Sequence, residues 1–205
     1  MAGIAATQEA VMTMITYLHV RARSAASCEG RLIAGNLDWP CLLGRTGRRH
    51  RKREGDDASP VGIWGLEELF YRSDRWPRPR TALKVRPISR SLGWCDATGN
   101  RSYNRLVTLP FVAGHEPLWR EDVAYDHLVV LSHNRRPRIQ GGGSAIFLHV
   151  ARPGAGHTAG CIALRPRHMA GLLGRIGRGT RLVIWPPDGM TPYVFRRLPS
   201  RPGCG

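Results

Sequence analysis

Ile146-Phe147-Leu148-His149-Val150 and, past a short loop, Gly160-Cys161-Ile162-Ala163-Leu164 decide how this chain reads. The first run is short and apolar throughout, the pattern of a strand buried on both faces. Its histidine lies near the strand end, and the loop that follows, residues 151–160, carries Gly154, Gly156 and Gly160. Such a loop can turn back and set the imidazole beside the Cys161 sulfur. A cysteine becomes a nucleophile when a base takes its proton. Gly160 lets a substrate approach the backbone, and the N–H groups of Gly160 and Cys161 can face a developing oxyanion. The competing reading is a packed cysteine beside an unrelated histidine, because cysteine is among the most buried residue types. His157, four residues before Cys161, is an alternative base.

Working outward, most of the chain reads as short strands parted by turns. Thr13 to Arg21, Arg31 to Ala34, Cys41 to Leu43, Val61 to Trp64, Asp126 to Leu131 and Arg181 to Trp185 have strand character. Gly35-Asn36 is a turn, and Gly141-Gly142-Gly143 leads into the histidine strand. The glycine run lacks the lysine and helix of a phosphate loop. Residues 44–60 form a polar loop with six bases between Arg45 and Arg53, and residues 72–93 read as an extended surface connection. One helix is expected, with Pro166 at its first position, Met169, Leu172, Leu173 and Ile176 on one face, and an end at Gly177 to Gly179. Residues 1–12 are expected to be a flexible leader, 13–185 the folded domain, and 186–205 an Arg- and Pro-rich tail. The fold class expected is mostly β, a sandwich or distorted barrel with one or two short helices.

The chain has 205 residues, of which 42% are hydrophobic, so one self-sufficient domain is expected. No apolar stretch approaches the roughly 18 residues of a membrane span. The formal charge is +16, and Lys52 and Lys84 are the only lysines. Such a charge favours anionic partners, but the bases are spread along the whole chain and the aromatics are dispersed. That argues against a nucleic-acid platform. The cysteines at 28, 41, 95, 161 and 204 include no closely spaced pair of the kind zinc sites use.

His149, Thr158, Gly160 and Cys161 resemble the signature of the YkuD-like L,D-transpeptidase catalytic domain: a histidine, a spacer, then Ser/Thr-His-Gly-Cys. Lys52 to Asp56 with Ala58-Ser59-Pro60-Val61-Gly62, then Trp94-Cys95-Asp96, Tyr103-Asn104-Arg105 and Gly143 to His149, extend the resemblance over about residues 13–185. They look like a short, signal-less branch of that family. The resemblance implies a cysteine acyltransferase that works on peptidoglycan stem peptides. Cys161 would attack the third residue's carbonyl and expel D-alanine, with His149 as base. Gly160 and Thr158 would line the oxyanion region, and no metal or other cofactor would be needed. Asp56, Tyr103, Asn104, Arg105 and Arg165 are candidate substrate contacts or loop-ordering residues.

Two departures stand out. Ala159 occupies the position where the family often has histidine, and the spacer between His149 and Cys161 is short. An L,D-carboxypeptidase or other hydrolase on the same scaffold, and a non-catalytic cell-wall-binding module, are the alternative readings. The family implies a periplasmic or cell-envelope location. The first twelve residues carry no Lys or Arg and show no signal-peptide pattern. No integral membrane association and no nucleic-acid partner are expected.

Overall fold

Strands Leu128–Leu131 and Phe147–Val150 are buried on both sides, because a barrel core lies under one face and a second core over the other. The computed structural model describes residues 13–186. The expected leader, and all of the expected tail except Pro186, lie outside the described residues. In chain order the elements are β1 (Tyr17–Arg21), β2 (Glu29–Ala34), β3 (Leu37–Leu42), β4 (Arg48–Arg49) and β5 (Ser59–Pro60). There follow β6 (Gly62–Tyr71), β7 (Lys84–Pro87), β8 (Leu92–Cys95), β9 (Arg105–Thr108) and β10 (His115–Pro117). The chain ends its described part with β11 (His127–Leu131), β12 (Phe147–Val150), β13 (Ile162–Leu164), α1 (Pro166–Leu173) and β14 (Arg181–Ile184).

Eight strands close into a barrel in the order β11-β12-β13-β3-β2-β1-β14-β6, and β6 pairs back onto β11. The long β6 makes closure possible. Its first half, Gly62 to Gly65, pairs with β14, and its second half with both β11 and β7. A three-stranded antiparallel sheet, β10-β8-β9, is separate from the barrel. The fold is therefore mostly β with a single short helix, as the strand pattern implied.

Alternation sorts side chains between the two cores. Leu148, Val150, Ile162 and Leu164 join the barrel interior, where Met169, Leu172 and Leu173 of α1 also pack. Phe147 and Cys161 belong to the second cluster, with Phe70, Trp94, Leu118 and Tyr125. Burial of each large apolar side chain contributes about 1.5–3 kcal/mol. Two interdigitated layers therefore hold β12 and β13 from both sides.

Two stretches differ from the sequence pattern. The helix starts at Pro166 as expected but ends at Leu173, with Gly174 as its cap, rather than near Gly177. Ile176 still reaches the core. Its carbonyl is taken by Ala82 N–H and by the Thr81 hydroxyl, so the chain pairs with residues 81–82 instead of continuing to coil. Residues 72–93 are not simply a surface connection. Leu83 and Ile88 are buried and β7 extends the sheet. Of the seven bases in this stretch, Lys84 and Arg86 pair with Glu68 on β6, Arg72 with Asp74 and Arg75 with Asp126.

Candidate active site

β12 and β13 are parallel, with His149 opposite Ala163. Opposed residues share a sheet face, and so do residues two apart on one strand. Cys161, His149 and Ala163 therefore project from the outer face of the barrel, under the second core. The loop 151–160 is held by Ala151 N–H on Leu164 O and by Thr158, whose N–H and C=O bond to Leu43 and Arg45.

Thr158 shapes the approach to the cysteine. Its Oγ1 accepts the Gly160 N–H at 3.1 Å and donates to the Cys161 carbonyl at 2.7 Å. The Ser59 hydroxyl donates to that carbonyl as well, at 3.3 Å. Gly160 has φ 129°, and a Cβ there would stand 2.8 Å from the Ala58 carbonyl oxygen, so glycine is required. The Gly160 N–H, expected to be open for an oxyanion, is already engaged by Thr158.

Cys161 is 8% exposed, and its sulfur lies against β12. The sulfur accepts the Phe147 N–H at 3.3 Å and donates to the Ala145 carbonyl at 3.2 Å. Burial, reinforced by the Glu116 carboxylate, pushes this thiol up to about 12. His149 Nδ1–H donates to the Val150 carbonyl at 2.9 Å, which leaves Nε2 as the lone-pair nitrogen. The Tyr125 ring meets the imidazole edge-on at 5.5 Å. Burial, with the Arg120 charge, lowers His149 to about 4. Both groups are thus neutral near pH 7, and the thiol's hydrogen-bond partners are main-chain groups of Ala145 and Phe147.

A pocket of about 280 Å³ opens onto both residues. Thr158, Ala159 and the exposed His157 line it on the loop side. Glu54, Asp96, Glu116, Arg120, Tyr125 and Arg152 also line it, and none of them stands out as a site residue in the sequence. They come from β10 and from loops far apart in the chain, so no spacing marks them. The Tyr125 hydroxyl donates to Glu116. Arg120 forms a two-pronged pair with Asp122 at 2.9 and 2.7 Å.

The YkuD model, the L,D-transpeptidase catalytic domain, matches residues 30–184. The chain belongs to the YkuD family. Neither a curated protein nor a solved structure matches it. In this YkuD domain Ala159 is exposed at the pocket. Among the described residues no helix is long and apolar enough to cross a membrane, and no three His, Cys, Asp or Glu side chains cluster as metal ligands.

The remaining candidates sit around the pocket rather than in it. Tyr103 is buried and its hydroxyl donates to Glu54, a pocket-lining residue. Asn104 is buried and binds Trp94, Ala145, His133 and Asn134. Asp56 accepts the N–H groups of Arg53 and Ala58, each at 2.9 Å, and pairs with Lys52. These contacts make Asp56 a loop-ordering residue. Arg105 is exposed on β9. Arg165 precedes α1 and lines a neighbouring hollow. Cys28, Cys41 and Cys95 do not line this pocket.

Proposed function

We propose that this YkuD domain is a cysteine acyltransferase, an L,D-transpeptidase of peptidoglycan stem peptides, with Cys161 as nucleophile and His149 as base. The observation that carries this reading is the pairing of β12 with β13. It sets a buried histidine of fixed tautomer and a cysteine on one face of one pocket. His149 acts as a general base rather than as half of a standing ion pair, because burial disfavours both charges. On substrate binding the thiol turns from the Ala145 carbonyl to Nε2. Sulfur then attacks the carbonyl of the third stem residue as Nε2 takes its proton. The C–N bond to D-alanine breaks, and the imidazolium returns the proton to the departing amine. An acceptor amine next attacks the thioester, its proton passing through His149 to the released sulfur. With Gly160 N–H bound to Thr158, the Cys161 N–H is the oxyanion donor in this reading.

A non-catalytic cell-wall module is the second reading, favoured by the thiol's hydrogen bond to Ala145 rather than to His149. A hydrolase, in which water replaces the acceptor amine, is favoured by the exposed Arg152 and His157 at the pocket. Intact mass after mixing with a tetrapeptide stem donor separates these readings. An adduct equal to donor minus D-alanine, absent from Cys161→Ala, supports the acyltransferase. Lasting attachment to an added acceptor amine distinguishes transfer from hydrolysis. No adduct and no released D-alanine from folded, reduced protein leaves the binding module.

A further inference from the structure

Strand β6 lines a hollow of about 630 Å³ that shares no lining residue with the Cys161 pocket. β6 gathers its walls because it pairs with three strands. Arg181 at the start of β14 lies opposite Gly65, Lys84 of β7 opposite Glu68, and Leu131 of β11 opposite Leu66. The chain after β11 adds Ser132, Arg135 and Arg136, and the loop before β14 adds Arg178. Bases from separate parts of the sequence thus meet around one cavity.

These bases divide into two sets. Lys84 and Arg86 pair with Glu68, and Arg135 pairs with Glu67 at 3.0 Å. Arg136, Arg178 and Arg181 are exposed and have no ion pair among the described residues. Arg181 is nonetheless held in place. Its Nη1 donates to the Arg178 and Thr180 carbonyls at 3.0 and 3.3 Å. A guanidinium has further donors at Nε and Nη2, and these remain for a ligand. Ser132 Oγ accepts the Gly65 N–H at 2.8 Å, which leaves its own O–H to donate at the same cavity. Gly65 keeps the space beside these donors open. A Cβ there would meet the Ser132 side chain at 3.6 Å and Arg181 Nη1 at 3.8 Å.

We propose that this hollow binds a diphosphate group. Three guanidiniums without acids call for a ligand with more than one negative charge and many acceptor oxygens. A single carboxylate has one charge and two oxygens. A diphosphate carries several charges and presents oxygens on two adjoining phosphorus centres, which planar guanidiniums bind in pairs. The cavity volume falls within the roughly 300–1,000 Å³ of small-molecule sites. Nucleic acid fits less well. Trp94, the aromatic residue of the wall, is 2% exposed with Arg135 4.8 Å over its ring, so it offers no face for a base to stack on.

Calorimetry with inorganic pyrophosphate on the whole chain tests the site. Binding is expected at a single site, about tenfold tighter than for sulfate and weaker at raised salt. Arg178→Glu with Arg181→Glu is expected to weaken it about tenfold or more. Arg49→Glu with Arg51→Glu makes the same charge change at exposed positions outside the hollow, and is expected to alter binding less than about twofold. Gly65→Val adds bulk beside Arg181 without changing charge, and is expected to weaken binding while thermal melts stay close to wild type. Adenosine diphosphate in solution and vesicles carrying diacylglycerol diphosphate distinguish the sources of the group. Adenosine diphosphate binding that the Arg178 and Arg181 reversal removes supports a free ligand. Sedimentation with the vesicles that the same reversal removes supports a lipid-borne one. No pyrophosphate binding, equal affinity for sulfate, or an equal loss in the Arg49 and Arg51 reversal overturns the proposal.

Discussion

Asn104 holds Ala145 against Cys161. Its Oδ1 accepts the Ala145 N–H at 3.2 Å, and the Ala145 carbonyl in turn accepts the Cys161 thiol at 3.2 Å. The same Oδ1 accepts the Trp94 indole N–H at 2.9 Å, and Nδ2 donates to His133 and Asn134 carbonyls. Both Asn104 (φ 52°) and Ala145 (φ 50°) adopt left-handed backbone, which asparagine tolerates better than alanine. The bonds around Asn104 make it a positioning residue, two hydrogen bonds removed from the sulfur.

Asn104→Ala strands two buried N–H donors and keeps the left-handed strain. Each unsatisfied donor costs about 1–3 kcal/mol. Asn104→Asp keeps the acceptor and loses the two donations. The expected order, in melting temperature and in donor acylation rate, is wild type, then Asp, then Ala. Acylation rates measured well below each melting point check the positioning role. An Ala variant that acylates at the wild-type rate there contradicts it.

Acid is expected to destabilise the fold through two buried histidines. His149 and His133 are each lowered to about 4, chiefly by burial. A lowered histidine takes up a proton more readily when unfolded, so its contribution is full above about 6.5 and fades as pH falls toward 4. Unfolding midpoints measured across that window should fall with pH. In His149→Gln and in His133→Gln the slope should be shallower than in wild type. Equal slopes in all three proteins would refute the assignment.

Cys161 should resist small alkylating agents. Its thiol is raised to about 12 by burial and Glu116, and the residue is nearly enclosed. Cys28 is half-buried. Peptide mapping after iodoacetamide at pH 7 should find Cys28 modified well before Cys161, and Cys161 labelling should rise steadily toward pH 12. The sign of the linked stability runs the other way. A raised thiol favours the folded state below about pH 9 and loses that effect as pH climbs through 12.

Gly160→Ala should damage the site more than any neighbouring glycine change. The added Cβ meets the Ala58 carbonyl at 2.8 Å and the φ of 129° excludes ordinary side chains. A loss of about 1–3 kcal/mol is expected, together with loss of acylation as the Thr158 bridge is displaced. Gly156→Ala meets nothing within 4 Å and should change the melting temperature little. Paired thermal melts of the two variants test this.

Strands β12 and β13 are legible in the sequence because their signal is local. Residues 146–150 and 161–164 are apolar almost throughout, and a strand covered on both faces uses such runs. The Pro166 helix start is equally local, since a proline suits the first turn wherever it occurs. The helix end is not, because it depends on Ala82 and Thr81 claiming the Ile176 carbonyl from far along the chain. The family signature, likewise, needs only the order His149, Thr158, Gly160, Cys161.

The walls of the site are invisible in the sequence for the same reason in reverse. Glu116, Arg120 and Tyr125 come from a short strand and the loop after it, which carry no period and no motif. They reach the cysteine because a second apolar layer, built on Trp94, Tyr125 and Phe147, packs onto the outer face of the barrel. Asn104 reads in the sequence as a substrate contact or loop-ordering residue, and its buried side chain bonds Trp94, Ala145, His133 and Asn134. Residue order specified which side chains could do chemistry. Burial of that second layer decided which charges surround them, and so made both the thiol and the imidazole neutral at rest.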